Sequence, residues 1–418
     1  LGRGRRRRGS PGGWPLRPRQ GDRRGLPAHA RGRGEPGRVE PPDPDPQVWG
    51  VWGGDPSDLG GHGPGQRGGA RAGRVRRGGP RPPRRSREDH PDRPALVFTI
   101  HNLAYQGLFD QQTFVDLELP DELWHMDGLE FYCQLSYIKG GLAYADEITT
   151  VSPTYAHEIL EPEYGYGLND LLKHRSQHLS GILNGIDEKH WNPGTDPHLI
   201  QKYNRRSLDN KSINKTTLQQ ELSLPHDSSI PMIGMISRLV EQKGLEIILQ
   251  SMETLLGLPV QLVILGTGEQ HYETQLSKMA QLHPDRLKVV IGYDESLSHR
   301  IEAASDIYLM PSTFEPCGLN QLYSLRYGTL PIVTKVGGLA DTVTDAHESS
   351  IKNGSANGFI VKENSAEALL TTRKRALALS HTPDLWRQLQ ITAMSGDFSW
   401  QSSAEHYIVL YQQILKKR

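Results

Sequence analysis

From residue 94 onwards, the sequence predicts an α/β fold built around a parallel, doubly wound sheet. Short apolar runs rich in β-branched residues alternate there with segments of helical length, a pattern typical of parallel sheets covered by helices. Strands are predicted at Pro231–Ser237, Gln261–Leu265, Leu287–Ile291, Ile307–Met310 and Leu330–Val333. The helices between and after them are predicted at about 243–256, 269–282, 295–303, 316–327 and 338–345.

The first half of this region shows fewer clear elements. The apolar run Ala95–Ile100 predicts a buried strand that ends at His101. Ser152 and Pro153 predict the start of a helix, because serine caps helices well and proline is favoured at the first helical position. The remaining predictions are strands at 148–151 and 182–187, helices with loops over 108–136, a helix-rich link at about 197–222 and a closing helix at Ser402–Leu415.

Residues 1–93 have a different composition from the rest. They contain 22 arginines, 10 acidic residues and 22 glycines, and they lack lysine, isoleucine, phenylalanine and tyrosine. This segment therefore carries a net charge of +12, and the remainder carries −12 because the whole chain is neutral. With so few large apolar residues, it cannot offset the entropy cost of folding and is expected to be disordered.

Three origins of this basic segment are open. A nucleic-acid-binding arm would use its arginines on phosphates, but Trp14, Trp49 and Trp52 are its only aromatic residues for base stacking. It could equally be a native disordered extension. The joint absence of residues with AT-rich codons favours a third interpretation, GC-rich DNA translated in the wrong frame.

Several protein classes do not fit the sequence. The basic start is not followed by an apolar run of about 7–15 residues, so a secretory signal is not expected. No run of about 18 apolar residues predicts a membrane-spanning helix. Cys133 and Cys317 lie far apart and form no metal-ligand spacing. A cytoplasmic protein with reduced thiols is therefore expected.

Charged and glycine-containing loops follow the predicted strands, at the edge where parallel sheets bind ligands. Arg238 and Lys243 flank one such loop and could bind a diphosphate near a helix N-terminus, or they could be two solvated surface cations. Glu315 could bind sugar hydroxyls, or it could complement a helix dipole. The glycines at 266, 337 and 338 fit either a ligand site or close packing. Tyr293 could stack on a base or lie at a cavity rim. His101 could contact a ligand or have a structural role.

The order of these motifs carries more information than each motif alone. Over about 94–418 the chain resembles the bacterial glycogen synthases, which use ADP-glucose and belong with the starch synthases. The matching stretches are FTIHNLAYQG at 98–107, YIKGGLAYADEITTVSPTYAHEI at 137–159, LSGILNGIDEKHWNP at 179–193, SRLVEQKGLEII at 237–248, IGYDESLSHRI at 291–301, MPSTFEPCGLNQLYSLRYGTLPIV at 310–333, GGLADTV at 337–343 and DFSW at 397–400.

The resemblance implies a GT-B fold, in which two Rossmann-like domains face a cleft, and a retaining glycosyltransferase without a cofactor or metal. It implies that ADP-glucose donates glucose to the non-reducing end of an α-1,4-glucan, and that neither nucleic acid nor membrane is a partner. The implied catalytic residues are His101, Arg238, Lys243 and Glu315. The implied substrate-binding residues are Asn184, Gln242, Gly266, Tyr293, Cys317, Gly318, Leu319, Asn320, Gly337 and Gly338.

The resemblance also sets the expected domain boundaries. Residues 94–184 correspond to part of an acceptor-side domain, 185–395 to a nucleotide-sugar domain, and 396–418 to a helix that packs back on the first domain. Related retaining transferases often carry a second glutamate eight residues after the first, where this chain has Tyr323.

The family's Lys-Thr-Gly-Gly-Leu-type loop near the start has no counterpart in residues 1–93. The first domain is therefore expected to be incomplete and transfer activity to be low. Two alternatives stay open: a non-catalytic remnant that binds ADP-glucose or glucan, and a transferase that uses UDP-glucose.

Overall fold

The computed structural model describes residues 94–416. The predicted disorder and wrong-frame origin of residues 1–93 lie outside this range.

The secondary structure consists mostly of short strands and helices. The strands are β1 (Val97–Ile100), β2 (Leu108–Phe109), β3 (Glu130–Phe131), β4 (Gln134–Ser136), β5 (Glu147–Thr150), β6 (Leu179–Gly181), β7 (Met232–Ile236), β8 (Gln261–Gly266), β9 (Leu287–Ile291), β10 (Ile307–Met310), β11 (Leu330–Thr334) and β12 (Phe359–Val361). The α-helices are α1 (Gln111–Asp116), α2 (Tyr137–Tyr144), α3 (Pro153–Glu158), α4 (Pro162–Gly165), α5 (Asn169–His174), α6 (Lys211–Glu221), α7 (Leu245–Leu256), α8 (Gln270–Leu282), α9 (Glu295–Ala304), α10 (Asn320–Arg326), α11 (Gly337–Thr342), α12 (Glu348–Lys352), α13 (Ala366–Ser380), α14 (Pro383–Ala393) and α15 (Trp400–Lys416). Short 3-10 turns lie at Asp121–Leu123, Ser176–His178, Leu208–Asn210 and Glu241–Lys243.

The larger sheet is parallel throughout, with the strand order β12-β11-β10-β7-β8-β9. Its strands lie between two helical layers and are largely buried, apart from the half-buried edge strand β9. Leu262 and Ile264 pack in the cluster on one face, whereas Val263 and Leu265 pack in the cluster on the other. This alternation follows from the two-residue period of a strand. The predicted doubly wound parallel sheet is confirmed. It contains one further strand, β12, which is only three residues long and was not predicted.

A smaller parallel sheet has the order β1-β5-β6. Ser152 caps α3 as predicted, since its side chain accepts a hydrogen bond from the amide of Tyr155 at 2.9 Å. The strand predicted at 182–187 is wrong: β6 lies earlier, at Leu179–Gly181, where it pairs with β5. Beyond Gly181 the chain leaves the sheet, although the amide of Ile182 still donates to the Thr150 carbonyl at 2.8 Å.

The prediction of helices and loops for residues 108–136 also needs correction. This segment holds the antiparallel sheet β2-β4-β3 as well as α1. The hairpin turn consists of Tyr132 and Cys133, whose φ angles are 49° and 64°. Two left-handed residues suit the twist of a hairpin, but the turn lacks the usual Asn-Gly or Asp-Gly sequence. The sequence therefore gave no indication of the turn.

The closing helix α15 packs on the smaller sheet. Leu410 and Ile414 are buried with Ile182 and contact Ala95 and Val97. A parallel bridge between Ile186 and Ser399 joins the two segments that connect the halves of the molecule. Within residues 94–416, no helix is both long and apolar enough to cross a lipid bilayer.

Leu410→Ala should lower the free energy of unfolding by about 2–3 kcal/mol, because it removes apolar contacts and leaves a cavity. Leu410 is 8% exposed, whereas Leu415 on the same helix is 68% exposed and provides the matched control. Leu415→Ala should change stability by less than about 0.5 kcal/mol. Urea unfolding followed by circular dichroism measures both; equal effects would contradict the packing of α15.

Candidate active site

A cavity of about 530 Å³ lies at the carboxyl ends of the strands. Its walls come from loops that follow β1, β6, β7 and β10, so both sheets contribute. Nine of the residues singled out in the sequence line this cavity: His101, Asn184, Arg238, Lys243, Glu315, Cys317, Gly318, Leu319 and Asn320. The structure thus brings most of the candidate residues together, at the sheet edge where parallel folds bind ligands.

A second cavity of about 500 Å³ adjoins the first. Arg238 and Asn320 line both cavities, so they lie at the junction between them. Gly266 and Tyr293 line the second cavity, and Tyr293 is 85% exposed there. An exposed aromatic ring on a cavity wall has a free face on which a flat ligand can stack.

Glu315 and Lys243 form a largely buried ion pair at the bottom of the first cavity. Lys243 Nζ lies 2.6 Å from Glu315 Oε2, and Ser312 Oγ donates to the same oxygen at 3.0 Å. The Lys243 and Glu315 side chains are 15% and 9% exposed. Burying a charge is costly unless it is paired, so each side chain compensates the burial of the other.

The predicted position of Glu315 at a helix mouth is wrong. The helix predicted at 316–327 begins only at Asn320, so Glu315 and Pro316 lie in the preceding loop. Gly318 has a φ angle of +71°, which interrupts the helical path. The Gln321 side chain donates to the Cys317 carbonyl at 3.0 Å and stabilises this loop.

Gly337 and Gly338 lie directly behind the loop that carries Glu315. A Cβ atom on Gly337 would lie 1.9 Å from the Glu315 carbonyl oxygen, and one on Gly338 would lie 2.0 Å from that of Cys317. The amide of Gly338 also donates to the Glu315 carbonyl at 3.2 Å. Neither glycine is among the residues that line the two cavities. Their contacts are those of close backbone packing.

Gln242 is likewise absent from the cavity walls and supports them from behind. Its side-chain amide donates to the Phe314 carbonyl at 2.8 Å, and its own carbonyl accepts from the amide of Thr313 at 2.9 Å. These bonds tie the loop after β7 to the loop after β10. Gln242 therefore fixes the distance between the loops of Lys243 and Glu315.

Helix α3 of the smaller sheet is bonded to helix α11 of the larger one. Asp341 accepts hydrogen bonds from Ser152 Oγ at 2.5 Å and from Thr154 Oγ1 at 2.6 Å. Glu158 Oε1 accepts from the amide of Gly337 at 2.9 Å, and burial raises the pKa of Glu158. The helix that supports the Glu315 loop is thus held by the other half of the molecule.

His101 and Cys317 are both shielded from water. Burial lowers the pKa of His101, which favours a neutral imidazole on the cavity wall. Burial raises the pKa of the Cys317 thiol to about 12, so the thiol stays protonated and unreactive.

Sequence reasoning missed several residues that shape the cavity. Tyr308 is buried, and its hydroxyl donates to the Ile236 carbonyl at 2.7 Å and accepts from Asn320 Nδ2 at 2.8 Å. Trp400, at the start of α15, also lines the first cavity. Tyr308 lies within a strand that reads as uniformly apolar, and Trp400 lies 80 residues or more from the cavity's main loops, so neither was distinguishable from an ordinary core or surface residue.

Two family models match the chain. The model described as starch synthase catalytic domain matches residues 84–174, and that of glycosyl transferases group 1 matches residues 217–388. The first match begins ten residues before Pro94, the expected start of the fold.

Curated relatives give the same result over a longer range. Glycogen synthase 1 of Methylococcus capsulatus is 54% identical over 327 residues, covering 78% of this chain and 66% of the relative. The glycogen synthase of Cellvibrio japonicus is 54% identical over 327 residues, covering 78% and 67%. The chain belongs to the glycogen synthase family. It spans about two thirds of the length of these relatives.

A solved structure in the starch synthase branch supports the fold of this glycogen synthase family member. The catalytic domain of Starch Synthase IV from Arabidopsis thaliana, bound to ADP and acarbose, is 37% identical to the chain, with a TM-score of 0.73. The match covers 76% of this chain and 66% of that one. The family is one of glycosyltransferases, and the chain has the GT-B fold that the resemblance implied.

Gly337→Ala should destabilise the protein more than Gly354→Ala. Both glycines have positive φ angles, +40° and +74°, but a Cβ on Gly354 would meet nothing within 4 Å. Gly354→Ala should therefore cost only the backbone strain, about 1–2 kcal/mol. Gly337→Ala must also displace the Glu315 carbonyl and should cost about 3 kcal/mol or more. Urea unfolding of the two variants measures the difference, and equal values would contradict the close packing.

Proposed function

We propose that this chain transfers glucose from ADP-glucose to the non-reducing end of an α-1,4-glucan, with retention of the anomeric configuration. The observation that carries the proposal is the convergence of Arg238, Lys243 and Glu315 on one cavity. We also propose a cytoplasmic location, on the basis of the bacterial glycogen synthases to which the chain is related.

The two cations would stabilise the leaving diphosphate. When the bond between the anomeric carbon and the diphosphate oxygen breaks, negative charge builds up on the diphosphate. Arg238 and Lys243 lie on the loop after β7 and can stabilise that charge, Arg238 by a bidentate contact and Lys243 as a point charge. Because the Lys243 side chain is largely buried, water screens its charge less than it would screen a surface charge, which strengthens this stabilisation.

Glu315 and His101 would contact the glucose that is transferred. The Glu315 carboxylate, which is paired with Lys243, can accept hydrogen bonds from glucose hydroxyls or face the positive charge that develops at the anomeric carbon. The neutral His101 ring reaches the same cavity from the smaller sheet and can donate a hydrogen bond to glucose. The acceptor hydroxyl attacks the anomeric carbon from the face on which the diphosphate leaves, and its proton passes to the departing diphosphate oxygen as the new glycosidic bond forms.

The second cavity would bind the nucleoside of the donor. We place the adenine ring against the exposed face of Tyr293, with Gly266 allowing the backbone close to the ribose or phosphate. Asn184, Cys317, Gly318, Leu319 and Asn320 line the path between the nucleoside and the sugar. Gln242, Gly337 and Gly338 act from behind as positioning residues.

Replacing the charged groups should reduce transfer, and circular dichroism checks that each variant folds. Arg238→Ala, Lys243→Ala and Glu315→Gln should each lower kcat about 100-fold or more, as loss of a group that stabilises transition-state charge does. Lys374→Ala, which removes an exposed cation of the same half, is the matched control and should leave kcat unchanged. Transfer of labelled glucose from ADP-glucose to glycogen measures these rates.

The same assay separates the proposal from its alternatives. If the unmodified chain binds ADP in calorimetry but transfers no glucose, it is a non-catalytic binding protein and the proposal fails. Unchanged transfer in all three site variants would also contradict it.

The donor preference should favour adenine. The value of kcat/KM should be higher with ADP-glucose than with UDP-glucose, because the larger purine covers more of the Tyr293 ring. The related structure bound to ADP supports this choice of base. Tyr293→Ala should reduce the preference by raising KM for ADP-glucose more than for UDP-glucose. A chain that prefers UDP-glucose would contradict the assignment of the nucleotide.

A further inference from the structure

Three potential metal ligands meet at the second cavity, which two of them, His190 and Glu295, line. A nitrogen of His190, a carboxylate oxygen of Glu295 and a nitrogen of His299 all lie within 4.8 Å of one another. Glu295 and His299 are four residues apart on α9 and so lie on the same helical face. His190 comes from the segment that joins the two sheets.

His299 is the most informative member of this cluster. Its side chain is fully buried, and Nδ1 lies 2.7 Å from Asp196 Oδ2. Within residues 94–416, the other ring nitrogen, Nε2, has no hydrogen-bond partner. Buried polar groups are normally hydrogen-bonded, so this nitrogen calls for an explanation. A histidine held by a carboxylate through one nitrogen and unpaired at the other is the arrangement found in metal sites.

The other two ligands are accessible from solvent. His190 Nε2 lies 2.8 Å from Glu295 Oε1, and the two side chains are 45% and 49% exposed. A surface ion pair alone would explain their contact, but it would contribute little to stability and would leave His299 Nε2 unexplained. The Trp191 ring stacks on the His299 ring at 3.8 Å with an interplanar angle of 8°, which fixes the orientation of the buried imidazole.

We propose that His299 Nε2, His190 and Glu295 bind a divalent transition-metal ion of the zinc type, with solvent completing its coordination. Two imidazoles and one carboxylate are a donor set that suits Zn²⁺, whereas Mg²⁺ and Ca²⁺ require mostly oxygen ligands. Zinc–ligand distances are about 2.0–2.2 Å, and rotation of the two exposed side chains can bring their atoms to that range. Asp196 orients His299 from behind.

The ion would act as a structural link. It would join the segment around His190 to α9, close to Tyr293 on the wall of the second cavity. His190 and Glu295 line the second cavity, so the ion would lie beside the proposed nucleoside site, whereas none of its three ligands lines the cavity of Glu315, where glucose would be transferred.

Calorimetric titration of the metal-free, full-length chain with zinc chloride tests the site. One Zn²⁺ per chain should bind, and the thermal unfolding temperature should rise on binding. His190→Ala and Glu295→Gln should each weaken binding at least about tenfold, since even outer-shell changes have effects of 10–100-fold. Both side chains are half exposed, so the variants should fold, and circular dichroism checks that they do.

His271→Ala is the matched control. His271 Nδ1 lies 3.6 Å from Glu269 Oε2 in a similarly exposed pair. Its loss should leave zinc affinity unchanged, and Mg²⁺ should not bind at the site. Co²⁺ in place of Zn²⁺ should give visible absorption bands that disappear in His190→Ala.

Two results would overturn the proposal. One is a zinc affinity of the unmodified chain no higher than that of His190→Ala, and the other is an equal loss of affinity in His271→Ala. Glucose transfer is not needed as a readout, so failure of this site would leave the proposed function untouched.

Discussion

The contact between the Gly337–Gly338 backbone and the Glu315–Cys317 loop is the constraint on which the active-site cavity depends. No side chain fits between the two segments, since a single carbon added to either glycine would fall about 2 Å from a carbonyl oxygen. The contact therefore transmits the position of α11 directly to Glu315. Because Asp341 and Glu158 tie α11 to α3, the smaller sheet takes part in placing a carboxylate that belongs to the larger one.

A second constraint is electrostatic. Glu315 and Lys243 come from different loops, and each would carry an uncompensated charge in a buried place without the other. Gln242 holds the same two loops together by neutral hydrogen bonds. The charge pair thus forms within a backbone frame that is already fixed, which limits the rearrangement needed when a charged ligand enters.

Much of the larger sheet could be predicted from the sequence, because most of its strands are buried and read as short apolar runs. The fully buried strand Ile307–Met310 has the predicted limits. The edge strand Leu287–Ile291 is only partly buried, yet it also has the predicted limits. Local patterns failed where tertiary contacts decide the structure. The hairpin at Tyr132–Cys133 adopts left-handed angles without a turn sequence, and the helix predicted from Pro316 starts later because the loop packs on glycines distant in sequence.

The candidate site, too, could be predicted only in part from the sequence. The residues on strand-end loops were found because parallel strands bring their carboxyl ends together. His190 and Glu295 could not be paired from the sequence, since 105 residues separate them and neither spacing nor composition connects them. Likewise, the sequence did not distinguish glycines that contact a ligand from glycines that support a loop, because both uses require the missing side chain.

The bridge between Ile186 and Ser399 has a mechanical consequence. The chain passes from one sheet to the other through the Ile186 segment and returns through the Ser399 segment, and the Ile186 amide donates to the Phe398 carbonyl at 2.8 Å. Two crossings that are bonded side by side restrict twisting of one sheet against the other more than a single crossing would. The bridge therefore helps to keep His101, which follows a strand of the smaller sheet, aligned with Glu315, which follows a strand of the larger one.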